Sequence, residues 1–66
     1  MNESFHVRVT VKTDDEKIRS YIKNDVCYRD RDEAIEVGKK AFEDTPEVIM
    51  VEVFQSGVAK PVAFFQ

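Results

Sequence analysis

Among its 66 residues the chain has one cysteine, one histidine, two glycines, two prolines and no tryptophan. Each scarcity excludes something. With Cys27 alone, no disulfide can form within the chain, and a lone cysteine fits a reducing compartment. Cys27 and His6 are the only soft metal ligands, and both fall in apparent strands, so neither a structural metal nor a cofactor is expected. Any serine or cysteine nucleophile would have only His6 as its base, and no nucleophile motif surrounds Ser4, Ser20, Ser56 or Cys27. Gly38 and Gly57 cannot make a glycine-rich phosphate loop. The acidic clusters Asp14-Asp15-Glu16 and Asp30-x-Asp32-Glu33 read as a turn and a helix cap, and the second lacks the Gly and distal Glu of a calcium loop. An enzyme is therefore the least favoured class.

Long apolar runs are also absent. None approaches the roughly 20 residues of a membrane-spanning helix. The opening "MNESFHVRV" lacks the basic region and apolar stretch of a signal peptide. The expectation is a cytoplasmic chain, complete from Met1, with no membrane association. A net charge of −3 argues mildly against a general nucleic-acid binder.

What is present is a globular balance, 35% charged and 42% hydrophobic. A chain this short buries only about 60% of the surface that it exposes when unfolded, so self-association is one route to added stability.

In "FHVRVTVK", Phe5, Val7, Val9 and Val11 alternate with polar residues, which predicts a strand with one buried face. "TDDEKIRSYIK" admits two readings. Thr13 and Glu16 have capping-box spacing for a helix. The favoured reading is a turn at Asp14–Lys17 and a second strand, with Ile18, Ser20 and Ile22 facing in and Arg19, Tyr21 and Lys23 facing out. Asn24-Asp25 interrupts this strand and Val26–Tyr28 resumes it.

"DRDEAIEVGKKAFED" predicts a helix capped by Asp30, with Ala34, Ile35, Val37, Gly38, Ala41 and Phe42 on one stripe. Glu36 and Lys40 are spaced for a weak ion pair. Gly38 within the stripe predicts close approach of helix to sheet. Thr45, before Pro46, ends the helix.

A two-residue turn at Ser56-Gly57 predicts a closing hairpin in which Glu52 meets Pro61, Val51 meets Val62 and Val48 meets Phe65. Ile49, Val51, Val53, Val62 and Phe64 then lie under the helix. Val48, Met50, Phe54, Ala59, Ala63 and Phe65 lie on the other side, with Glu52 their only charge. Pro61 places the last strand at the sheet edge.

The expected fold is α+β in the order ββαββ: a small, mainly antiparallel sheet with one helix on one face. The alternative is a three-stranded sheet with two helices. The pattern is like that of many short bacterial and phage chains, and no motif ties it to a named family. Two candidate surfaces follow. The apolar one is Val48, Met50, Phe54 and Phe65, which reads either as a fringe covered by the N-terminus or by residues 24–31, or as an interface. The basic one is Arg8, Lys12, Arg19, Tyr21 and Lys23, beside His6, which reads either as a solvated strand surface or as a docking site. The favoured function is a non-catalytic module that binds a larger protein as adaptor, regulator or inhibitor, with a homodimer among the options. The alternative is a small nucleic-acid-binding domain using the basic surface.

Overall fold

The computed structural model describes residues 4–66, and among these the side chains of all but residues 24 and 25. Four strands and one helix follow in the order β1 (Phe5–Lys12), β2 (Ile18–Tyr28), α1 (Arg31–Asp44), β3 (Val48–Gln55) and β4 (Ala63–Phe65). The strands form one sheet in the order β2-β1-β3-β4, antiparallel throughout. This is the expected ββαββ α+β fold. The two central strands come from different hairpins, so the sheet closes only when β3 docks on β1.

The helix crosses one face. Its side toward the sheet is made of small residues, Ala34, Gly38 and Ala41, all buried. Beneath it Val7, Val9, Val51 and Val53 are fully buried. A Cβ built on Gly38 would stand 3.1 Å from a Val51 methyl and 3.2 Å from a Val53 methyl. The close approach expected from the sequence is present, and glycine is what permits it. Ile35, Val37 and Phe42 pack on the flanks of this core. Asp30 caps the helix by accepting from the Asp32 N–H at 2.9 Å, and Thr45 ends it in extended geometry before Pro46. Among the described residues the ion pair within 4 Å is Lys17–Asp15, so the Glu36–Lys40 pair expected on the helix stays open.

Both hairpins depart from the expected pairing. In the first, the Thr13 N–H donates to the Lys17 carbonyl and the Glu16 N–H to the Thr13 carbonyl, each at 2.9 Å. Glu16 adopts φ 64. This is a three-residue loop, a turn followed by a left-handed residue. It brings Lys12 opposite Ile18, Thr10 opposite Ser20 and Arg8 opposite Ile22. Ile18, Ser20 and Ile22 therefore lie on the face away from the helix, while Arg19 and Tyr21, opposite Val11 and Val9, lie on the helix side. The expected inward and outward sets of β2 are exchanged. Next the register slips: Arg8 pairs with Ile22 but His6 pairs with Cys27, so residues 23–26 stand opposite Val7 alone. The slip turns Tyr28 inward, against the core.

In the second hairpin the Ser56-Gly57 turn forms as expected, with the Val58 N–H donating to the Gln55 carbonyl at 3.0 Å. Gly57 has φ 82 and Ser56 does not share that sign. The turn is thus not one of the primed types whose twist matches a hairpin, and the unprimed types splay the strands. Residues 58–62 loop out. Pairing resumes with Val53–Ala63, Glu52–Phe64 and Val51–Phe65. Phe65 therefore packs inward beside Phe42, with ring centroids 6.3 Å apart, and Phe64 faces out. Pro61 lies in the loop rather than opposite Glu52, although the last strand is at the edge as Pro61 implied. A further irregularity places Val48 opposite Val11, next to Met50 opposite Thr10. Ile49 is the extra residue. Val48 consequently turns into the core and Ile49 out, the reverse of the expected assignment.

Candidate functional site

The helix leaves one face of the sheet uncovered among the described residues. The pairing defines what that face carries. One row across it, from β2 to β4, is Ile22, Arg8, Glu52 and Phe64. A second is Ser20, Thr10 and Met50, and a third is Cys27, His6 and Phe54. Ile18 and Lys12 close the far end. Ile18 is 64% exposed and Phe64 is 59% exposed. These are large apolar side chains held at the two edges of one flat surface, with charges between them.

Polar groups on this face are arranged to sit flat. Thr10, only 5% exposed, has its hydroxyl 2.9 Å from that of Ser20, so its polar atom is satisfied between strands. The His6 ring stacks on Phe54, with centroids 5.4 Å apart and planes 18° from parallel. A shallow concavity of about 550 Å³ opens where the Gly57–Ala59 segment rises beside the sheet, with His6, Arg8, Ile22 and Phe54 as its floor. Its lining is mostly strand side chains and one loop rim, a shape suited to a protruding side chain.

Of the apolar set expected from the sequence, Met50 and Phe54 lie on this face. Val48 and Phe65 do not, because the Ile49 irregularity and the 58–62 loop turn them inward. The basic set is divided in the same way. Arg8 and Lys12 share the open face, whereas Arg19 and Tyr21 lie on the opposite side of β2, and Lys23 falls where the register slips. Tyr21, 48% exposed, borders a second cleft of about 370 Å³ with Val11, Thr13, Thr45 and Glu47. The sheet is therefore not basic on one hairpin and apolar on the other; its open face mixes both. Ile18, Ile22 and Phe64 belong to that face and were not expected there. The expected cover by the N-terminus falls in part on residues 1–3, which lie outside the described residues.

His6 and Cys27 are cross-strand partners. The His6 ring is engaged with Phe54 rather than with the thiol. Among the described residues no three His, Cys, Asp or Glu side chains gather as metal ligands, and no helix is long and apolar enough to cross a membrane.

No family model, no curated protein and no solved structure matches this chain.

Proposed function

We infer that this chain is a non-catalytic protein-binding module, an adaptor, regulator or inhibitor of a larger partner, and that the open sheet face is its contact surface. The observation that supports the reading most is the placement of Ile18, Ile22, Met50, Phe54 and Phe64 on a face with no covering element among the described residues. Apolar side chains on an uncovered face, the two at its edges more than half exposed and charges among them, are a usual signature of a protein contact. The single, exposed Cys27 is consistent with a reducing, cytoplasmic setting. The nucleic-acid alternative relied on five residues sharing one surface. The β2 register divides them, and the open face presents Glu52 beside Arg8, which a phosphate backbone would not favour.

The test is a tagged pull-down washed at high salt, with Met50→Asp and Phe54→Asp as controls whose fold is checked by circular dichroism. The expected result is a retained protein that both substitutions release. Retention unaffected by either substitution, or retention only of nucleic acid at low salt, would move the function off this face.

A further inference from the structure

The open face is complementary to itself. The row Ile22, Arg8, Glu52, Phe64 runs apolar, positive, negative, apolar across the four strands. Consider a twofold axis parallel to the strands, just outside the open face and midway between β1 and β3. It exchanges β1 with β3 and β2 with β4 while keeping each row at its own height. Ile22 then opposes Phe64 of a second copy, and Arg8 opposes Glu52, each twice. In the next rows Thr10 opposes Met50, and His6 opposes Phe54. The same axis carries the Gly57–Ala59 rim, which lies on the β3 side, over the β1–β2 side of the concavity in the other copy.

We propose that the partner of this face is a second copy of the chain, docked face to face about that axis. This names the partner within the protein-binding reading and rests on it. Among the described residues neither Arg8 nor Glu52 has an ion-pair partner within 4 Å in its own chain. The two are cross-strand neighbours on β1 and β3, so each copy brings an adjacent positive and negative charge to the interface, where an arginine can hold a carboxylate of the other copy through two parallel hydrogen bonds. A twofold interface requires self-complementarity of this kind. The charge pairs fix the register of docking more than they add affinity. Affinity comes from the apolar ends of the row. Three strands about six residues long and a fourth of three residues, about 4.8 Å apart, offer roughly 330 Å² per copy. Twice that area lies below the standard range of stable complexes, so the dimer is weak and exchanges with monomer.

The experiment is sedimentation equilibrium of the full chain from about 10 μM to about 1 mM, the range in which weak complexes dissociate. The expected mass rises from 7.7 kDa toward twice that value. Arg8→Glu and Glu52→Arg, each alone, place like charges across the axis and stay monomeric throughout. Their equimolar mixture associates again, one to one. Each variant carries like charges at both positions within its own chain, so recovery in the mixture can only come from pairing between chains. Phe64→Ser, at the outer end of the row, weakens self-association about tenfold or more while the chain stays folded. A wild-type chain that remains at 7.7 kDa, single reversals that associate as well as wild type, or a mixture that stays monomeric would each overturn the proposal. If wild type is monomeric but retains a different protein through Met50, the second copy is excluded and the protein-binding reading stands. If it is monomeric and retains nothing, both fall.

Discussion

Both faces of this sheet carry large apolar side chains, and those side chains have opposite fates. Under the helix, Val7, Val9, Val51 and Val53 lose essentially all contact with solvent. On the open side, Ile18 and Phe64 keep most of theirs. Residue type does not separate the two sets. What separates them is whether a surface of small residues, Ala34, Gly38 and Ala41, can settle close enough to cover them. The covered face holds the fold together, and the open face is free to hold something else.

The sharpest way to break this contrast is to truncate one apolar side chain on each side. Val53→Ala deletes two methyl-sized groups from a site with no exposure. The transfer and cavity terms together come to about 2–3 kcal/mol. A domain of this size has only about 3–10 kcal/mol in all. The melting temperature should fall by roughly 10–20 °C. Phe64→Ser should shift stability by no more than about 0.5 kcal/mol, because its side chain is already in solvent. Thermal melts of the two variants check both values. Comparable losses would mean that the open face is part of the core.

A smaller effect tests why the helix covers the face it does. Gly38→Ala gains up to about 1 kcal/mol of helix propensity. It also brings a methyl within 3.1 Å of Val51 and 3.2 Å of Val53, so two fully buried branched side chains must shift by a few tenths of an ångström. Overpacking of this kind costs about 1–3 kcal/mol, so the net change should be a loss of about 0–2 kcal/mol in chemical denaturation. A stabilised variant would show that the helix rides higher than 3.1 Å implies.

How the chain assigns residues to faces was only partly legible in the sequence. β1 was legible because its alternation has no ambiguous pair: each of Phe5, Val7, Val9 and Val11 is flanked by polar residues. The helix and its approach through Gly38 were legible for the same reason, a clear stripe with a glycine inside it. β3 and β4 were not. Val48-Ile49 and Phe64-Phe65 are doublets of equal hydrophobicity, and a doublet carries no information about parity. Because side chains alternate with period 2, one extra residue at Ile49 exchanges the assignments around it. β2 failed differently. Its parity is set by Glu16 in the left-handed region, a conformation in which nothing in the local hydrophobic pattern predicts a glutamate. Two of the five apolar residues on the open face, Met50 and Phe54, were readable. The other three, Ile18, Ile22 and Phe64, depended on turn geometry and irregularities that only tertiary packing decides.

The turns therefore govern which residues reach the open face, and they should respond oppositely to the same kind of change. Gly57 has φ 82 and a Cβ built on it would meet nothing within 4 Å, so Gly57→Ala meets backbone strain alone and should cost about 1 kcal/mol. Glu16→Gly removes the same strain from the first hairpin and should gain less than about 1 kcal/mol. Denaturation midpoints that move the same way for both would mean that backbone sign is not what holds the registers.

The smallest effect lies inside the first turn. The Thr13 hydroxyl donates to the Asp15 carboxylate, and this bond holds the Asp15 carboxyl below the ordinary aspartate range. Partial desolvation opposes the shift, and the Lys17 ammonium at 3.8 Å adds little because both side chains are largely exposed. A depressed folded value means that the carboxylate supports the turn at pH above its unfolded value of about 3.9, and that this support is lost as pH falls through the folded value. In an NMR titration the Asp15 carboxyl should reach its midpoint below the ordinary aspartate value of about 3.9. Thr13→Val should raise the Asp15 midpoint toward the ordinary value while leaving the Val7–Val53 core resonances in place. An Asp15 midpoint unchanged by Thr13→Val would take the hydroxyl out of the turn. The first hairpin would then owe its register to Glu16 alone.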